Sequence, residues 1–182
     1  MILLILGVLL WSGAHLFKRL APDLRARMGD KAKGPVALAL VVSVVLMVIG
    51  YRGAQTYDLY ALPGWTVHLN NLLMVIAVVL LGLGNSKSRL RAKMRHPMLT
   101  GVIVWGVAHL LTNADAASFV LFGGMIVWAA TEMVLINRQV HSYVPYDGGS
   151  PKGDMRLALI SAAVFIVIAG LHWWIGVYPF PN

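Results

Sequence analysis

Six apolar segments, joined on one side by three basic turns, run through this chain of 182 residues and leave few folds open to it. They cover approximately residues 2–17, 34–51, 65–84, 97–112, 116–136 and 155–176. A helix needs about 20 apolar residues to cross a bilayer, and each segment is that long or nearly so. With 59% hydrophobic and only 12% charged residues, the chain falls outside the range of ordinary soluble domains. The expected fold is all-α: a polytopic membrane bundle of about six transmembrane helices, one domain over residues 1–182. The first and fourth segments are short, so helix is expected to continue past Lys18 and to begin before Pro97. The opening segment has no basic region ahead of it and no small-residue cleavage site, and reads as a retained helix.

Charge placement orients the bundle. Residues 18–33 carry Lys18, Arg19, Arg25, Arg27, Lys31 and Lys33. The turn before the fourth segment adds Lys87, Arg89, Arg91, Lys93 and Arg95, and the turn before the sixth adds Arg138, Lys152 and Arg156. Fourteen of the fifteen Lys and Arg residues thus lie on one side, with Arg52 alone on the other. Basic loops stay in the cytoplasm, which puts both termini outside. The net charge of +8 has anionic headgroups as its natural partner. No stacking aromatics are interleaved with the basic residues, so nucleic acid is not expected as a partner.

The chain has no cysteine, which removes disulfides, thiolate catalysis, iron–sulfur clusters and thiolate haem ligation together. It has no phosphate-binding glycine loop, no paired-histidine zinc motif and no nucleophile elbow. Residues 141–154, rich in Gly, Pro and Ser, form the clearest flexible loop.

What remains for chemistry is histidine. With the orientation above, His15 and His96 fall near the cytoplasmic face and His141 in a cytoplasmic loop. His68, His109 and His172 fall about one turn below the outer surface. His109 lies about 18 Å from the Arg95-His96-Pro97 start of its helix, at ~1.5 Å per residue. An ionisable ring deep in an apolar segment is costly, and is by default a functional candidate. On its face stand Trp105 one turn before and Gly101 two turns before, with Gly106 at the adjacent spacing. Small residues there let a helix or a flat cofactor approach closely. A short internal echo links Trp11-Ser-Gly-Ala-His15 with Trp105-Gly-Val-Ala-His109, each preceded by a glycine eight residues before the histidine, Gly7 and Gly101. With opposite helix directions it would be an inverted repeat.

Plainer roles fit other residues. Trp65, Tyr143, Tyr146, Trp173 and Tyr178 suit an aromatic belt at the membrane surfaces. Asn113 and Asp115 are placed to cap the fifth helix. Glu132 is placed to pair with His96 or with an arginine of the basic turns.

The run Arg95-His96-Pro97-Met98-x-x-Gly101, followed by Trp105-x-x-Ala108-His109-Leu110-x-x-Asn113, resembles the signature of the NnrU family. So do Gly13-Ala14-His15, His68-Leu69 and Leu171-His172-x-Trp174-Ile175-Gly176, and the similarity spans the whole chain. The resemblance implies a bacterial inner-membrane protein that supports nitrite and nitric oxide reduction. It also implies kinship with the zeta-carotene isomerase, which binds haem b and isomerises a carotenoid double bond. Carried over by motif, the isomerase's haem ligands fall on His15 and His109, with Trp105, Gly106, Arg95 and His96 in the surrounding motif. Its alternate thiolate ligand falls on Gly106, where this chain has no sulfur. The implied partners are the bilayer, haem, and a denitrification reductase or a hydrophobic small molecule.

Residue counting leaves the second ligand open. His15 and His109 come out about 13 Å apart along the membrane normal, at ~1.5 Å per residue, leaving little room for lateral separation. Either helix one sits deeper, with Lys18 and Arg19 snorkelling, or the partner of His109 is His68 or His172. The Arg95-His96-Pro97-x-x-x-Gly101 run also resembles S-adenosylmethionine-dependent membrane methyltransferases, which carry a downstream acidic pair. Here Glu132 stands alone.

Overall fold

A computed structural model describes residues 1–180; Pro181 and Asn182, at the outward-assigned C terminus, lie outside the described residues. The elements are α1 (Ile2–Leu20), α2 (Pro22–Met28), α3 (Lys33–Arg52), α4 (Thr66–Leu83), α5 (Pro97–Leu110), α6 (Ala116–Gln139) and α7 (Pro151–Trp174). Among the described residues α1, α3, α4, α6 and α7 are long and apolar enough to cross a membrane. The sixth, α5, is apolar but only 14 residues long. Helix α1 does run past Lys18, to Leu20.

The expected extension before Pro97 does not occur. Residues Arg89–Lys93 form a separate 3-10 turn, and Met94 and His96 are not helical. Pro97 sets the boundary: its ring disfavours the helical conformation at the residue before it, and it lacks the N–H a preceding turn would need. As the first residue of α5 it costs nothing. Helix α2, a short basic segment, begins in the same way at Pro22.

Contacts fix the helix directions. Gly50 lies against Leu4 and Gly7 against Ser43 and Met47, so α1 and α3 are antiparallel. Gly84 meets Met98, and Gly101 meets Ala77 and Leu81, so α4 and α5 are antiparallel. Helix α6 packs beside both pairs. Val8 touches Gly124 and Arg19 reaches Glu132, so α1 and α6 run parallel. Gly106 packs on Phe122 and Ile126, so α5 and α6 are opposed. Helix α7 leans on α4 through Leu157 and Ser161 against Gly82. These directions return the end of α7 to the side on which α1 starts, as six crossings require.

The protein interior is small. Leu4, Val8, Met47, Ala117, Met125, Trp128 and Ala129 form the core where α1, α3 and α6 meet. Most other large apolar side chains face outward, among them Val41, Val127, Leu159, Ile166 and Trp174. Lipid is as apolar as the core, so such faces are stable without protein cover.

Both rims are tied. At the outer rim, Leu59 N–H donates to the Ala114 carbonyl at 2.8 Å and Tyr60 Oη to the Leu110 carbonyl at 2.8 Å. Asp115 caps α6 by accepting from Ser118 N–H at 2.9 Å, as expected. Asn113 does not cap it; its amide donates back to the His109 carbonyl at 2.8 Å. At the inner rim, Asp154 accepts from Ser88 Oγ and Arg89 Nε, each at 2.7 Å. Ser150 N–H donates to the Lys87 carbonyl, and Gly149 and Gly153 press against residues 87–89. The segment 141–154 is irregular in its first part but fastened at its far end.

Candidate functional site

Three histidines on three helices are held in one way. His15 Nδ1 is 3.1 Å from the Trp11 carbonyl, His109 Nδ1 is 2.9 Å from the Trp105 carbonyl, and His172 Nδ1 is 2.8 Å from the Ile168 carbonyl. A carbonyl only accepts, so each Nδ1 carries the proton. In the neutral ring Nε2 then keeps its lone pair, and among the described residues none of the three Nε2 atoms has a protein hydrogen bond. Fixing one nitrogen on a backbone carbonyl and freeing the other is how proteins present an imidazole to a metal.

Helix α6 supplies a second wall. His109 stacks on Phe122 with centroids 4.5 Å apart and planes at 27°, and its own Trp105 lies at 5.0 Å. Phe122 is buried and sits in a π turn, Phe119–Gly123, a widening that is frequent at functional sites. His15 packs between Trp11 at 4.3 Å and Trp128 at 4.7 Å. Phe122 and Trp128 are six residues apart on α6, so the two histidine shelves are offset by about 9 Å at ~1.5 Å per residue.

The other candidate residues take different places. His68 is exposed, in the first turn of α4. His96 Nε2 is 2.8 Å from Asn137 Oδ1, and Arg95 donates to the Val140 carbonyl. Gly106 is packing: a Cβ there would stand 2.7 Å from Ile126 Cγ1 and 3.1 Å from the Phe122 carbonyl. Glu132 pairs with Arg19 at 3.4 Å and not with His96. Its second oxygen is buried without a partner, as are the indole N–H groups of Trp11 and Trp128. Phe122 and Trp128 carry no polar signature, and only their place on α6 reveals them.

Among the described residues no three His, Asp or Glu side chains converge as a bare metal ion would require. One or two imidazoles suffice when the metal arrives already held by a macrocycle. The donor set, isolated neutral imidazoles among aromatic and small residues, fits such a group.

A family model described as NnrU protein matches residues 3–179. No curated protein and no solved structure matches the chain.

Proposed function

The chain belongs to the NnrU family, and from that premise we propose that it is a haem b-binding protein of the bacterial cytoplasmic membrane supporting nitrite and nitric oxide reduction. The observation carrying this reading is His109, locked at Nδ1 by the Trp105 carbonyl, open at Nε2 and backed by Phe122. His109 would be the first residue to hold the haem iron. The second would be His15 or His172, each held at Nδ1 in the same way. Haem would supply a one-electron redox centre inside the bundle. The chain's own part is to hold two neutral imidazoles, exclude water with apolar walls and keep both ligands from drifting. Ligation by two histidines leaves no open coordination position, which favours electron transfer or haem handling in support of a reductase over direct catalysis.

A second reading has one observation in its favour. His15, His109 and His172 all leave Nε2 free, one imidazole more than a two-histidine site would use, so different pairs could hold the group and it could supply isomerase-like chemistry. Methyl transfer is disfavoured because Glu132 is engaged by Arg19 and is the only acidic residue of α6.

The test is the visible spectrum of the full chain purified in detergent, oxidised and dithionite-reduced. Sharp reduced bands of a low-spin b-type haem, lost in His109→Ala protein that still inserts, are expected. A haem-free protein, or an unchanged spectrum in the variant, ends the proposal. A deletion strain that consumes nitrite and nitric oxide normally removes the denitrification role.

A further inference from the structure

A cavity of about 350 Å3 opens at the cytoplasmic rim, lined by Gly84, Met94, Pro97–Leu99, Val144 and a ring of polar groups. The polar groups are Arg91, Arg95, His96, Tyr143 and Tyr146, and no Asp or Glu lines it. Neither Arg91 nor Arg95 has a carboxylate partner among the described residues. Arg91 donates once, to the Ser86 carbonyl at 3.2 Å, and Arg95 once, to the Val140 carbonyl. Most of each guanidinium fork is left without an acceptor. Two guanidiniums brought to one cavity without a counter-charge repel each other, unless an anion fills the space between them.

The guanidiniums are aimed by the loop. Arg91 Cζ lies 4.4 Å from the centre of the Tyr146 ring and Arg95 Cζ 5.1 Å from that of Tyr143. Stacking of this kind fixes the plane of the fork and leaves its edge for a ligand. The start of α5 adds to the field. His96 offers no side-chain cap, and the first-turn amides of Met98 and Leu99 have no acceptor within the helix. Their partial positive charge favours an anion at the same mouth.

We infer that this cavity is a binding site for a phosphate-class anion, held by the forks of Arg91 and Arg95 at the N-terminus of α5. Its apolar wall of Pro97, Met98, Leu99 and Val144, beside the membrane, suits a phosphate carrying acyl chains. A free phosphate would use the same donors. Neither source depends on haem, so the site is testable in protein with or without it.

The experiment uses the full chain in neutral detergent, in two arms. Native mass spectrometry compares retention of phosphatidylglycerol with that of phosphatidylcholine bearing the same chains. Thermal unfolding compares inorganic phosphate with chloride at matched ionic strength. Preferential phosphatidylglycerol retention assigns the site to a lipid headgroup, and stabilisation by phosphate alone assigns it to a soluble anion; either supports the site. Two variants must then weaken the effect roughly tenfold, as loss of charge-assisted bonds does. One is the double change Arg91→Gln with Arg95→Gln. The other, Val144→Glu, places a like charge at an exposed loop position and disturbs no packing. Arg25→Gln with Arg27→Gln on α2, away from the cavity, should leave it intact. No selectivity in either arm, or selectivity that survives Val144→Glu and the Arg91/Arg95 change, overturns the inference.

Discussion

Gly7 and Gly101 meet their neighbouring helices through the same kinds of atom. A Cβ on Gly7 would stand 2.7 Å from Met47 Cγ, 2.8 Å from Met47 N and 2.9 Å from the Ser43 carbonyl. On Gly101 it would stand 3.0 Å from Leu81 Cγ, 3.1 Å from Leu81 N and 3.2 Å from the Ala77 carbonyl. Eight residues after each glycine comes a histidine bonded to the carbonyl of a tryptophan four before it. Helices α1 and α5 run in opposite directions and both pack on α6, so the pairs α1–α3 and α5–α4 share one antiparallel glycine contact, with their helices in reversed chain order. The short echo between Trp11–His15 and Trp105–His109 therefore has a three-dimensional counterpart.

Close helix approach at these two glycines should be costly to disturb. Gly7→Ala and Gly101→Ala are each expected to lose about 1–3 kcal/mol, because backbone on the facing helix cannot yield. Gly13→Ala and Gly170→Ala face open space and should gain up to about 1 kcal/mol from helix propensity. Melting temperatures in one detergent measure all four. Equal effects across the set would mean the glycines do not set the helix spacing.

The ranking of the histidines is the next expectation. His109→Ala should abolish haem binding, and one of His15→Ala and His172→Ala, both held at Nδ1 as His109 is, should lower occupancy more than the other. His68→Ala and His141→Ala, both exposed, should change nothing. Haem content per protein gives the order. The larger loss identifies the second ligand, and no loss in either would mean that His109 has no histidine partner.

The number of long apolar helices and their alternating directions were readable because apolar length and basic loops are local properties, whereas the start of α5 at Pro97 and the short helix α2 were not. The inward faces were not. In a bilayer both the protein-facing and lipid-facing sides are apolar, so periodicity does not mark the core. Leu4 is fully covered while Ile2 and Leu6 lie outward, and nothing in their chemistry separates them. Gly101 and Gly106 announced packing but not which helix they pack on. Phe122 and Trp128 became part of the site only through the placement of α6, and the widened turn at Phe119–Gly123 has no composition signal.

Arg19 and Glu132 join the C-terminal halves of α1 and α6, both largely covered, with side-chain exposures of 21% and 13%. Removing either partner alone strands a covered charge. Glu132→Leu or Arg19→Leu should each cost about 3 kcal/mol, and the double change should recover most of it. Strictly additive losses would show that the pair is not coupled.

The orientation is open to direct measurement because the chain offers no native thiol. Cysteines placed at Lys31, Lys87 and Lys152 should be shielded from an impermeant thiol reagent in intact cells, and one at Asp58 should react. Labelling at Lys87 with protection at Asp58 would invert the molecule, and with it the assignment of the basic cavity to the cytoplasmic side.

Asp115 gives the outer rim a pH dependence of defined sign. Burial raises its carboxyl, but bonds from the Ser118 side chain and amide, from Thr56 and from the Ala117 amide outweigh that, leaving it below its usual 3.8. A carboxylate depressed by folding stabilises the fold fully above its unfolded value, and loses that contribution as pH falls through the folded one. At neutral pH Asp115→Asn should therefore destabilise by about 1 kcal/mol, the scale of a helix cap, even though asparagine caps well, because the charged acceptor is gone. As pH falls through the native carboxyl's value the gap should close, because the protonated carboxyl no longer offers the charged acceptor. Melting curves of both from pH 7 to pH 3 make the comparison. A gap that widens toward acid would mean that the carboxyl binds its proton more tightly folded than unfolded, and the Ser118 cap would not be the dominant influence on it.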